Sequence, residues 1–182
     1  RDIQQRAGLR RTQMELGSIA FTVLCADANL DAALPKIVGA AYRKAGQVCT
    51  SIQNLLVERS RVEEVQARLI AATKALPYGD PHDAKTQVGP VINVANAQRI
   101  DGWIQSPVQR GARLLCGGAL EGALVPPTLL TDVPRACEVS CQEVFGPVMS
   151  IEAFDHVDEA IARVNSTPYG LASGFFTNRL DF

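Results

Sequence analysis

Cys49 stands in Ala45-Gly46-Gln47-Val48-Cys49-Thr50, on a connection between a stretch of helical pattern and a strand-like run. A cysteine held on a loop, behind a glycine that lets the backbone turn tightly, is a strong nucleophile for a carbonyl carbon once it is a thiolate. Backbone N–H groups around it can stabilise the oxyanion that the attack creates. The plainer reading is a reduced cysteine packed at a helix end, the commoner fate of this residue type. Glu15, in Glu15-Leu16-Gly17-Ser18, comes just before an apolar run. A glutamate there serves as a general base if its surroundings raise its pKa toward neutrality; otherwise it is a solvated charge in a turn. In Gln142-Glu143-Val144-Phe145-Gly146-Pro147 a carboxylate and an aromatic ring stand at i and i+2. In extended chain both point to one side, which suits gripping a ribose while packing a heterocycle; the alternative is a loop that turns through Gly-Pro.

These residues need elements to hold them, and two hydrophobic patterns alternate along the chain. Ile19 to Cys25 is a nearly continuous apolar run, the mark of a strand covered on both faces. Leu30, Leu34, Ile37, Val38 and Ala41 then share a helical face, with Pro35 expected to shift the helix start or kink it. Asn54 to Glu58 reads as a second strand. Ser60 and Glu63 have the spacing of a capping box, and Val62, Val65, Leu69 and Ala72 form the face of the helix it would open. A polar loop follows from about Pro77 to Thr86. After it come a helix around Ala95 to Ile104, a strand at Arg113 to Cys116 and an extended segment from Pro147 to Phe154. A helix near Val157 to Val164 has Asp155 as its expected N-cap, and a last strand lies near Gly174 to Thr177. Strands alternating with helices indicate an α/β fold with an open, mostly parallel sheet flanked by helices.

Composition narrows the function classes. The 182 residues are 47% hydrophobic and 20% charged, with a formal net charge of −1. A chain of this length buries roughly 70% of its unfolded surface and needs no metal or disulfide to hold a core. The absence of a basic field argues against a nucleic-acid partner, and no window approaches the ~20 apolar residues of a membrane span. The opening residues Arg1 to Arg6 lack the apolar core of a secretory signal, and the cysteines are odd in number at five. Reduced thiols and a cytoplasmic location are expected. Cys137 and Cys141 are four apart, and neither His82 nor His156 lies close in sequence, so no metal site is expected. No Gly-x-Gly-x-x-Gly or phosphate-loop sequence occurs, and the start and end of the pattern read as parts of something larger.

Together, Glu15-Leu16-Gly17, Gly46-Gln47-Val48-Cys49 and Glu143-Val144-Phe145-Gly146-Pro147 resemble the aldehyde dehydrogenase superfamily. Weaker matches lie between and beyond them at Gly79-Asp80-Pro81, Val88-Gly89-Pro90, Gly117-Gly118, Pro127-Thr128 and Asn165 through Tyr169-Gly170-Leu171, so the likeness runs from about Ala7 to Thr177. It corresponds to the catalytic domain alone, with residues 1–18 as a polar lead-in and 19–182 as an α/β domain truncated at both ends. The resemblance implies that Cys49 attacks the aldehyde to give a thiohemiacetal and, after hydride transfer to NAD or NADP, a thioester. It implies that Glu15 activates the hydrolytic water, that Glu143 holds the nicotinamide ribose and that Phe145 packs near the nicotinamide. Leu16 falls where the backbone approaches the nicotinamide amide. The family's side-chain oxyanion donor has no counterpart here, which leaves the Cys49 backbone N–H.

The departures bear on substrate. Glu15-Leu16-Gly17-Ser18-Ile19 replaces the Glu-Leu-Gly-Gly-Lys of many members. Serine at the fourth position is similar to the branch of lactaldehyde, phosphonoacetaldehyde and non-phosphorylating glyceraldehyde-3-phosphate dehydrogenases, although Ile19 and Phe21 fit it poorly. The presence of Glu15 argues against the CoA-acylating branch. The expected partner is a small-molecule aldehyde, and the full-length protein is expected to be a homo-oligomer. The isolated chain is expected to perform no hydride transfer. Two alternatives stay open: a cofactor-independent thiol esterase or acyltransferase, and a non-catalytic oligomerisation or binding fragment.

Overall fold

The computed structural model describes residues 2–179. In chain order the elements are α1 (Asp2–Ala7), β1 (Phe21–Leu24), α2 (Leu30–Tyr42), β2 (Asn54–Glu58), α3 (Val62–Lys74), α4 (Val94–Gln109), β3 (Arg113–Cys116), β4 (Thr128–Thr131), α5 (Glu138–Cys141), β5 (Val148–Phe154), α6 (Val157–Val164) and β6 (Ser173–Phe176). Six strands form one sheet in the order β3-β4-β5-β2-β1-β6. Every pairing is parallel except that of β3 with β4. The mostly parallel α/β sheet expected from the alternating patterns is therefore present.

Side chains leave successive strand positions on opposite faces, and the core divides accordingly. Leu24 of β1 and Leu55 and Val57 of β2 join the larger core, which also takes in Ile37 and Val38 of α2, Leu69 of α3 and Ile100 of α4. Phe21 and Val23 of β1, with Leu56 of β2, face the other way and pack with Phe154 of β5 and Ala160 of α6. Arg163 is buried in that second layer, donating to Glu152 Oε2 at 2.9 Å and to Ser140 Oγ at 2.5 Å, with its guanidinium 4.9 Å from the centre of the Phe21 ring. It joins α6, β5 and α5 through one fully partnered charge.

Several local expectations change. Helix α2 starts at Leu30 under Asn29, whose Oδ1 accepts from Ala32 N at 3.2 Å, and it continues through Pro35. The cap fixes the start, and the hydrogen bond that proline cannot donate is tolerated within a well-buried helix. The Ser60-Glu63 capping box does not form, because Arg59–Arg61 is a 3₁₀ turn and the N-cap of α3 is Arg61, with no side-chain cap bond. Asp155 does not cap α6 either; His156 holds that position, and Asp155 pairs with Arg59 at 2.5 and 2.7 Å. Helix α4 continues past Ile104 to Gln109, through Pro107.

Candidate active site

Strands β5, β2 and β1 lie side by side and run parallel, so the segments that lead into them emerge at one edge of the sheet. Those segments are Gly146-Pro147, Cys49 to Gln53, and Glu15 to Ala20. Topology alone thus gathers the three motifs, although Glu15 and Glu143 are distant in sequence.

The nucleophile loop is turned sharply at its start. Lys44, Ala45 and Gly46 have φ of 52°, 53° and 67°, three successive left-handed residues after α2. Gly46 is required for a second reason: a Cβ there would lie 2.0 Å from the Gly146 carbonyl oxygen. The Cys49 loop and the Glu143 loop therefore touch backbone to backbone. Gln47 steadies the turn, donating through Nε2 to Lys44 O at 3.3 Å and accepting at Oε1 from Ile92 N at 2.8 Å.

Cys49 is half-buried, and the Glu15 carboxylate lies close enough to its thiol to act on it. Contact with the Glu15 carboxylate, then desolvation and the Glu15 charge, push the thiol above its ordinary value, while the backbone N–H groups of Cys49 and Thr50 act on the sulfur in the opposite sense. Resting Cys49 is a thiol beside a base, with two N–H donors at hand. Sequence reasoning proposed the Cys49 N–H and missed that of Thr50, which carries no sequence signal of its own.

Glu143 turns toward the other motif. Its Oε1 accepts from Ser18 N at 2.9 Å, and its Oε2 would lie 2.7 Å from a Cβ placed on Gly17. Phe145 has φ of 50° and is 43% exposed. The extended-chain expectation for Glu143 and Phe145 therefore fails at Phe145, where the left-handed backbone breaks the alternation. Leu16 is 70% exposed beside Glu15.

Two further residues hold this loop and were not anticipated. Gln53, 5% exposed, donates from Nε2 to Val139 O and Gln142 O, both at 2.7 Å, and accepts from Val144 N at 2.9 Å. Arg99 donates to Val144 O at 2.7 Å and stacks 4.5 Å from the centre of the Trp103 ring. A polar residue ahead of a strand and an arginine on an amphipathic helix are too common to signal such roles.

Glu143 and Phe145 line a small recess with Gly46 and Val48 of the nucleophile loop. A family model for the aldehyde dehydrogenase family matches residues 1–181. The chain belongs to the aldehyde dehydrogenase family. It is 39% identical over 180 residues to a 3-sulfolactaldehyde dehydrogenase of Priestia megaterium, covering 99% of this chain and 38% of that protein. Mouse retinaldehyde dehydrogenase 3 is 38% identical over 184 residues, covering 100% of this chain and 36% of that protein. Among solved structures, a Mycobacterium tuberculosis aldehyde dehydrogenase complexed with NAD+ superposes with a TM-score of 0.92 at 34% identity, over 98% of this chain and 38% of that one. A glyceraldehyde-3-phosphate dehydrogenase of Methanocaldococcus jannaschii complexed with NADP gives 0.93 at 34% identity, over 98% and 39%. The chain thus spans less than two fifths of the length of these relatives.

Proposed function

We propose that the protein carrying this chain oxidises an aldehyde to a carboxylate with NAD or NADP, and that residues 19–182 supply the α/β catalytic domain behind the lead-in 1–18. The placing of the Glu15 carboxylate beside the Cys49 thiol, close enough to raise it, carries this reading. The Cys49 thiol loses its proton to solvent as its sulfur bonds to the carbonyl carbon, and the Cys49 and Thr50 N–H groups donate to the oxygen as it gains charge. A nicotinamide, when bound, supplies the hydride acceptor; Glu143, Phe145 and Leu16 are the residues that would hold it. With the acyl group esterified to sulfur, Glu15 deprotonates the water that attacks it, releasing the carboxylic acid and regenerating the thiol.

The family resemblance further supports a homo-oligomeric, cytoplasmic full-length enzyme, which light scattering and cell fractionation would check. Aldehyde-dependent formation of NADH or NADPH by that enzyme is the direct test. Cys49→Ser is expected to abolish it, and retained activity would remove Cys49 from the nucleophile's role. Glu15→Gln is expected to leave a burst of reduced cofactor followed by slow turnover.

The same thiol–carboxylate pair favours a second reading, in which the 182-residue chain alone hydrolyses activated esters. Release of p-nitrophenol from its acetate, lost in Cys49→Ser, would support it.

A further inference from the structure

We infer that the aldehyde taken at this site carries an anionic group on a short tail, and that Arg43 is the residue that holds that group. The inference rests on the reading of Cys49 as nucleophile.

Arg43 follows the last residue of α2, and the left-handed run Lys44-Ala45-Gly46 then reverses the chain. The reversal folds the nucleophile loop back on the helix end, so that Arg43 Nη2 donates to Thr50 Oγ1 at 3.1 Å. Thr50 is the residue next to Cys49. A guanidinium offers five N–H donors in a rigid fork matched to oxyanions. Here one donor is used on a neutral hydroxyl, and among the described residues no carboxylate pairs with it. Four other arginines, by contrast, are neutralised: Arg59 by Asp155 at 2.5 Å, Arg68 by Asp31 at 2.6 Å, Arg113 by Asp132 at 2.7 Å and Arg135 by Glu152 at 2.5 Å.

The surroundings extend the argument. An open groove beside Thr50 is walled by Ala40 and Lys36 of α2, by Ile52 and by Phe176 of β6. Lys36 and Ala40 stand at i and i+4 of α2, so they share one helix face, and Arg43 follows the end of the same helix. Lys36, for which no carboxylate partner is found among the described residues, thus lines the groove beside Thr50, the residue to which Arg43 donates. Arg43 reaches Thr50 and not Cys49, so it stands next to the reacting sulfur without occupying its place, in position for another part of a bound aldehyde. Thr50 adjoins Cys49, with Cα atoms about 3.8 Å apart, so an anion held by Arg43 belongs to a short substrate. Carboxylate, sulfonate and phosphate share the chemistry that a guanidinium fork recognises.

The chain itself permits a test that needs no cofactor. Cys49 is alkylated with iodoacetate or with its neutral counterpart iodoacetamide, and the ratio of the two rates is compared between wild type, Arg43→Gln and Arg43→Lys, with Cys141 as internal reference. Glutamine can still donate to Thr50, and circular dichroism verifies the fold. The iodoacetate-to-iodoacetamide ratio at Cys49 is expected to fall about tenfold in Arg43→Gln, the scale of one charged hydrogen bond. It should recover in large part in Arg43→Lys and stay unchanged at Cys141. An equal ratio in wild type and Arg43→Gln overturns the inference, and failure of Cys49 to react with either reagent overturns the nucleophile reading beneath it.

In the full-length enzyme, 4-oxobutanoate is compared with its neutral isostere 4-methylpentanal, and glyceraldehyde 3-phosphate with glyceraldehyde. The two pairs distinguish a carboxylate from a phosphate tail. Wild type is expected to prefer the anion of at least one pair, and Arg43→Gln to lose about tenfold of that preference in kcat/KM. Equal use of both members in both pairs overturns the inference. Inactivity toward every aldehyde would instead refute the dehydrogenase reading, leaving the alkylation ratio to judge Arg43.

Discussion

The backbone N–H of Ser18 donates to Glu143 Oε1 at 2.9 Å, so two motifs 125 positions apart share one hydrogen bond. Glu143 thereby fixes the loop that carries Glu15, and the carboxylate assigned to a ligand also has a structural task. Ser18 is buried, so its N–H finds no water when the acceptor is removed. Glu143→Ala is expected to cost about 1–3 kcal/mol in stability, and Glu143→Gln, which keeps an acceptor, less. Urea unfolding midpoints measure both.

Gln53 satisfies three backbone groups of the 139–144 segment. Gln53→Leu leaves all three buried and unpaired, and a loss of about 2–4 kcal/mol is expected. Gln53→Glu is expected to be no milder, because a carboxylate cannot donate to the carbonyls of Val139 and Gln142. A denaturant series comparing both variants with wild type checks this, and a loss below 1 kcal/mol in Gln53→Leu would contradict it.

Gly46 combines φ of 67° with a Cβ direction that ends 2.0 Å from Gly146 O. No rotamer relieves a clash at Cβ. Gly46→Ala is expected to cost at least about 3 kcal/mol and to separate the loops of Cys49 and Glu143. Thermal unfolding gives the first effect and a changed alkylation rate at Cys49 the second.

Alkylation as a function of pH reads the Cys49–Glu15 contact. Glu15 holds the thiol above its ordinary value of 9.0, so thiolate, and with it the rate, continues to increase at pH above 9.0. Glu15→Gln removes the negative charge and lowers the thiol pKa, so the variant is expected to react faster than wild type at pH 8. A slower variant would mean that the carboxylate activates the resting thiol. Cys25 serves as the control: burial pushes it up to about 11, with Glu58 and Asp27 adding to the effect, and it is expected to remain unlabelled in the folded chain.

What the sequence disclosed followed from burial. Phe21 to Leu24 is buried at every position and was legible as an apolar run; Asn54 to Glu58 was found with its observed ends. Strand β4 was missed, because Thr128 to Thr131 is only four residues long and follows two prolines, which mask a strand in a local window. The helix starts failed where a distant partner won, as Arg59 did in taking Asp155. The motif residues Cys49, Glu15 and Glu143 were legible by type and order. The turn that aims Cys49 was not, since lysine and alanine disfavour the left-handed region and only tertiary contacts keep Lys44 and Ala45 there. The clamp formed by Gln53 was likewise invisible, because nothing local distinguishes a glutamine that will meet three backbone groups from one that faces water.

The three motif segments enter adjacent parallel strands at one edge of the sheet, and the rungs between β5, β2 and β1 fix their relative height. Adding one residue between Cys49 and Asn54 would displace the sulfur by up to about 3.3 Å relative to Glu15 or force β2 to slip and exchange its two faces. An insertion at Asp27 or Asp155, at the opposite edge, would leave that alignment intact. The same sheet therefore leaves one rim open to changes in loop length and holds the other to a fixed count.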